Sequence, residues 1–237
     1  MVAIFWLAAG LVFFNHDTRR EMLARPFSIW ILDIVGLTIH GVLVPVFQYY
    51  IIFKSMDYLV PEYRSSIVIH PTIGFLFSFV FIDYLYYWNH RILHTGFFWR
   101  FHHLHHSGES FDVFTTSRNS AITTLLIVYI WMNGACIFLI QDRGGFALGV
   151  LLSNLLDLWR HSRIGFWGRF FPFSIFCSPS DHSWHHSRDV YGRNFGGNFI
   201  IWDKIHGTYY ANRELPKKFG LALPTEAIWR SFWKGMP

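Results

Sequence analysis

Residues 101–107 read Phe-His-His-Leu-His-His-Ser, and residues 181–187 read Asp-His-Ser-Trp-His-His-Ser. Both contain the spacing H-x-x-H-H, first as His102, His105 and His106, then as His182, His185 and His186. At 3.6 residues per turn, the three histidines of each set fall within about 100° of arc on a helix. His103 falls outside that arc and reads as a spectator. Upstream, residues 88–94 read Trp-Asn-His-Arg-Ile-Leu-His and place His90 and His94 at i and i+4, neighbours on one helical face. His161 follows an apolar run, with Asp157 four residues before it as a further candidate ligand.

Nine imidazoles exceed the four ligands of a structural zinc site and suffice for two metals at four or five ligands each. Gathering that many rings has no structural benefit while some are protonated, so a buried metal pair accounts for the crowding better than a surface proton sensor. Zinc, iron, copper and nickel all accept imidazole, and the spacing does not choose among them. Asp83 lies seven residues before His90, two helical turns away on the same face, and is expected to orient His90 or another ligand. His40 and His70 stand alone in apolar runs and are expected as hydrogen-bond partners between helices; His16 and His206 are left out of the site.

Outward from these motifs the chain is apolar: 52% hydrophobic, 20% aromatic, mean hydropathy +0.27 over 237 residues. This composition predicts a membrane protein. Runs at 2–14, 27–53, 67–88, 121–140 and 146–159 are the expected crossings. The first has neither a preceding basic residue nor a following cleavage site, so it reads as a short span or half-inserted helix, not a signal peptide. The expected fold is all-α: an integral membrane helical bundle of about four to five spans with a cytosolic, histidine-rich di-metal cap. Residues 1–66 are expected to carry N-terminal membrane spans and 67–237 the catalytic domain.

Sidedness follows from charge. Every histidine motif falls at the same end of the bundle, with 17 of the 20 Lys and Arg residues, against Lys54, Arg64 and Arg143 in the opposite loops. The positive-inside rule then faces the histidines to the cytoplasm, of a bacterial inner membrane or an ER-type membrane. The lipid bilayer is the expected partner of the interleaved basic and aromatic residues; no basic run suggests nucleic acid. Residues 163–173, Arg-Ile-Gly-Phe-Trp-Gly-Arg-Phe-Phe-Pro-Phe, suit a segment lying in the interface. Cys136 and Cys177 form no CxxC pair and read as free thiols.

Taken in order, D-Y-L-Y-Y-W-N-H-R-I-L-H from Asp83, W-R-F-H-H-L-H-H-S from Trp99, D-H-S-W-H-H-S from Asp181 and R-N-F-G-G-N-F-I-I-W-D-K-I-H-G-T-Y from Arg193 resemble the fatty acid hydroxylase/sterol desaturase superfamily. The resemblance implies a non-haem di-iron centre that uses O2 and two electrons to hydroxylate, or alternatively desaturate, a lipid-like hydrophobic substrate. By position it implies His90, His94, His102, His105, His106, His161, His182, His185 and His186 as ligands. Asp157 stands where some relatives carry a histidine, and His206 where the family often has Phe. With no HPGG-like haem segment and no cysteine cluster, electrons are expected from a separate reductase, ferredoxin or cytochrome. A zinc hydrolase would call for a motif such as HExxH, which is absent, and a transporter for charges along several spans.

Overall fold

Helices begin and end where the local chemistry dictates. In the computed structural model, which describes residues 2–163, 173–212, 214–221 and 223–234, α1 covers Val2–Phe14 and α2 His16–Ala24. Asn15 separates them, its side-chain oxygen accepting from the Asp17 and Thr18 backbone N–H groups that α2 leaves unpaired. Pro26 starts α3, a continuous helix Phe27–Leu59. Pro71 starts α4 (71–93), where the His70 ring accepts from Thr72 N. His70 is therefore a helix cap and not the interhelical partner expected, whereas His40 on α3 does reach Thr124, at 3.3 Å.

The remaining helices are α5 (Gly96–His102), α6 (Ala121–Leu126), α7 (Val128–Leu139), α8 (Gly144–Arg160), α9 (Pro179–His185), α10 (Ile201–Ile205) and α11 (Thr225–Lys234). No strand occurs among the described residues, which carry three isolated bridges. The described residues form an all-helical fold.

Of the expected crossings, only α3 among the described helices is long and apolar enough to span a membrane, at 33 residues. Just 22% of its most apolar stretch is buried, and Val42, Leu43, Tyr50 and Ile51 are exposed. Pro45 lies between two π-helical turns, Ile39–Leu43 and Gln48–Phe53; such wider turns accommodate a missing backbone donor. The run 67–88 becomes the first part of α4, and 146–159 falls within the 17-residue α8.

The run 121–140 is not one helix. Ile127 is extended (φ −74°, ψ 119°) and separates α6 from α7. Asn89 on α4 explains the break: its amide donates to Leu126 O at 3.0 Å and accepts from Val128 N at 3.2 Å. One side chain thus satisfies both backbone groups that the interruption frees. The expected interfacial segment 163–173 lies almost wholly outside the described residues.

Helix α8 runs against α4 at backbone distance. A Cβ on Gly145 would sit 1.8 Å from Pro71 O, and one on Gly149 would sit 1.9 Å from Ser78 Oγ. Ser78 also donates to Phe146 O at 2.9 Å. This close pairing brings the C-terminal ends of α4 and α8 together at one end of the bundle. Three apolar clusters join distant parts of the chain: Val12 and Met22 with Phe114 and Leu158, Leu32 with Leu104 and Phe232, and Ile82 with Cys136 and Phe146.

Candidate metal centre

Four helices end at the same place. His90 and His94 close α4, His102 closes α5, His161 caps α8, and His182, His185 and His186 close α9; His105 and His106 follow α5 in a 3-10 turn. Helix C-termini carry partial negative charge. The convergence therefore offers a cation a favourable field even though the rings themselves are neutral.

The nine candidate histidines fall into two groups. His90, His94, His102, His106 and His185 form one, and His105, His161, His182 and His186 the other; within each, one nitrogen per ring lies within 4.8 Å of all the others. All nine are buried.

Backbone carbonyls, which only accept, orient three of the rings. His90 Nδ1 donates to Phe195 O at 2.9 Å, His185 Nδ1 to Arg193 O at 2.7 Å, and His161 Nδ1 to Asp157 O at 2.8 Å. Each bond puts the proton on Nδ1 and leaves Nε2 as a lone pair turned inward.

The donor set fits metal ions. Nε2 of His90, His106 and His185 and both ring nitrogens of His94 and His102 are buried without a partner. Each such group costs about 1–3 kcal/mol unless something binds it. In the four-ring group the Nε2 atoms of His161 and His182 are 3.1 Å apart, and those of His182 and His186 are 3.2 Å apart. Two nitrogens each about 2.1 Å from one ion, at roughly a right angle, stand about 3.0 Å apart.

Burial, followed by the charge of neighbouring groups, holds His90, His94, His102, His106, His182 and His186 far below the usual imidazole range. His105 behaves alike, while burial pushes His161 down to about 3 and His185 down to about 4. Neutral imidazole is the form that binds a metal.

Asp157 joins neither group. Its carboxylate pairs with Arg160 at 2.5 Å and lies 3.4 Å from His161 Nδ1, on the side away from the lone pair. His103 is also outside, bonded through Nε2 to Ser231 at 2.8 Å. Asp83 hydrogen-bonds to none of the nine rings. It accepts from Tyr129 OH, Asn198 N and Trp202 Nε1 at 2.9, 2.6 and 2.8 Å, and so anchors the loop whose Phe195 carbonyl holds His90.

Sequence reasoning missed the residues that build this loop. Asp203 accepts from Phe195 N and Gly196 N at 2.8 and 2.7 Å, and Arg160 donates to Gly197 O at 2.7 Å. Asn194, at φ +55°, bonds Asp181 O, Tyr210 O and Tyr210 N. The signal was present in R-N-F-G-G-N, whose Gly pair lets backbone approach closely: a Cβ on Gly197 would lie 2.5 Å from Asp83 Oδ1.

A cavity of about 180 Å³ opens beside the rings, lined by His94, His106 and His185 of one group, His186 of the other, and Trp99 and Tyr191.

The fatty acid hydroxylase family matches residues 75–208. An alkylglycerol monooxygenase of Homo sapiens is 30% identical over 173 residues, covering 66% of this chain and 38% of that protein. An ornithine lipid hydroxylase of Rhizobium tropici is 31% identical over 144 residues (52% and 38%), and methylsterol monooxygenase 2-1 of Arabidopsis thaliana is 29% identical over 160 residues (59% and 57%). The matched part thus amounts to well under half of the alkylglycerol monooxygenase, and no solved structure matches. The family match over 75–208 includes all nine clustered histidines, and on that match the chain belongs to the fatty acid hydroxylase family.

Proposed function

We propose that the chain is an O2-dependent oxidoreductase in which the two histidine groups hold two iron ions, and that it hydroxylates an unactivated C–H bond of a lipid-like substrate. The observation that carries this reading is the pair of buried, all-imidazole groups, each converging within 4.8 Å, with one cavity touching both. The alkylglycerol, ornithine lipid and methylsterol enzymes among its relatives favour hydroxylation over desaturation.

Bound iron would supply the oxygen activation and one-electron chemistry that no side chain here possesses. The protein's part is positional. Carbonyls of Phe195, Arg193 and Asp157 fix three rings in the tautomer that faces inward. Burial of all nine rings excludes water from the reacting centre. Trp99, Val190, Tyr191 and Leu221 give the cavity an apolar wall, against which an alkyl segment would set its C–H bonds beside His94, His106, His185 and His186.

In this reading α3 and its neighbours embed the protein in a bilayer, the histidine end faces the cytoplasm with 17 of the 20 basic residues, and a separate donor protein delivers electrons. Elemental analysis of detergent-purified protein should find about two irons per chain. Incubation with O2, a reductant and a panel of alkylglycerol, ornithine lipid and methylsterol should give a product heavier by one oxygen. One zinc per chain, or none, would sink the reading. A reporter fused after Pro237 should report the cytoplasmic side, and the opposite result would reverse the orientation.

A further inference from the structure

Tyr87 is a phenol the proposed chemistry does not use, yet it is fully buried and wired in two directions. Its ring meets Phe195 at 6.4 Å, and Phe195 in turn meets His94, His185 and His90 at 5.1, 5.6 and 5.8 Å. On the other side it stacks on His206 at 5.2 Å and 20°. His206 meets Trp88 at 4.8 Å, and Trp88 is 39% exposed. Rings therefore run without interruption from the five-histidine group to the surface.

The phenolic hydroxyl has its own path. Tyr87 OH lies 2.8 Å from Thr208 Oγ, and Thr208 Oγ donates to Asp203 Oδ1 at 2.7 Å, so the Thr208 oxygen is left to accept from Tyr87. Asp203 is fully buried, and Phe195 N, Gly196 N and Thr208 all donate to it, a donor set that suits the ionised carboxylate. Burial also raises its affinity for a proton. A tyrosine with a base at the end of a hydroxyl relay can lose an electron and a proton together.

We propose that Tyr87 is a redox relay residue that discharges an oxidising equivalent from the metal centre when no substrate C–H bond is in place. One electron passes from the Tyr87 ring to the oxidised metal centre. The phenolic proton moves to Thr208 Oγ as the Thr208 proton moves to Asp203, which leaves a neutral tyrosyl radical and a protonated carboxyl. An electron from Trp88 by way of His206 restores Tyr87, with the proton returning from Asp203, and a soluble one-electron reductant of the thiol or ascorbate class refills the exposed Trp88. His206 gives this chain a polar ring at the junction of Tyr84, Tyr87 and Trp88, with Tyr84 OH 3.2 Å from its Nε2.

The proposal rests on the two-iron reading, and the test separates the two. Iron-loaded protein, reduced and then exposed to O2 without substrate, should give a neutral tyrosyl radical by electron paramagnetic resonance. The radical should be lost in Tyr87→Phe at unchanged iron content, and should form more slowly in Thr208→Val, with a smaller solvent deuterium effect. An identical radical in Tyr87→Phe, or no organic radical in fully loaded wild type, overturns the relay. If iron content itself shows that none binds, the metal reading fails, and the relay is tested on the metal-free full chain by photo-oxidation with a soluble ruthenium complex. A tyrosyl yield that falls in Tyr87→Phe supports the ring path, and an equal yield overturns it.

Discussion

A histidine in this site has two nitrogens with separate tasks, and the separation makes single substitutions informative. His182 lies between His161 and His186, so His182→Ala should empty the four-ring group and leave the five-ring group loaded. Iron should fall from about two to about one per chain; retention of both would remove His182 from the ligand set. Asp157→Asn is the counter-case. The carboxylate faces Arg160, and the bond that holds His161 comes from the Asp157 backbone, so iron content should match wild type. Acid should act on all nine rings together. Their proton affinities are depressed in the folded state, so between pH 6.5 and about 4 the unfolded chain binds more protons than the folded one. Stability of the metal-free protein should be level above about pH 6.5 and decline as pH falls below it, as read by thermal melts; a melt that rises on acidification would contradict the burial of neutral rings. The ligand candidates were legible because the H-x-x-H-H spacing occurs twice; the helical face it implies was not met in the first set, which leaves α5 after His102, and each set is divided between the two groups. The rings' carbonyl partners were not legible: Phe195, Arg193 and Asp157 act through backbone oxygens that every residue possesses.

At the scale of elements, hydropathy describes a run of residues but not the side chain that interrupts it. The apolar stretch 121–140 reads as one crossing, yet Asn89 on another helix divides it at Ile127. The i, i+7 relation of Asp83 to His90 was equally legible, and it holds: both lie on α4. What periodicity could not reveal was the loop 193–199 lying between them, since Asp83 grips Asn198 while Phe195 grips His90. Asp83→Ala would leave Tyr129 OH, Asn198 N and Trp202 Nε1 without their acceptor, at about 1–3 kcal/mol for each group left unpaired. Amide hydrogen exchange at 194–199 should accelerate before exchange in α8 does. Uniform acceleration across the bundle would mean that Asp83 stabilises the fold generally and has no particular hold on the loop.

For the whole molecule, the question is what fastens the N-terminal helices to the histidine end. Apolar clusters contribute, but four buried charges give the junction its register. Arg118 donates to both oxygens of Asp33 at 2.6 and 2.8 Å; Arg25 donates to Asp33 at 2.8 Å and also pairs with Asp112. These side chains are 0–3% exposed. Asp33 and Arg25 belong to the N-terminal region, whereas Asp112 and Arg118 lie in the segment that follows His105 and His106, so the quartet connects α3 to the histidine end. Asp33 lies inside the apolar run 27–53 and its partners are 8 and 85 residues away, so nothing local in the sequence announces the pairing. Asp33→Leu leaves two buried guanidinium groups with one carboxylate between them, and breaking such an arrangement costs about 3–5 kcal/mol. Thermal unfolding in detergent should begin roughly 10 °C lower. Adding Arg118→Met to Asp33→Leu restores charge balance, since Arg25 and Asp112 remain paired, and should recover part of that loss. If the double variant melts below the single one, the quartet's charge balance is not what holds the N-terminal helices to the site, and packing around Leu32 and Leu104 must carry that load instead.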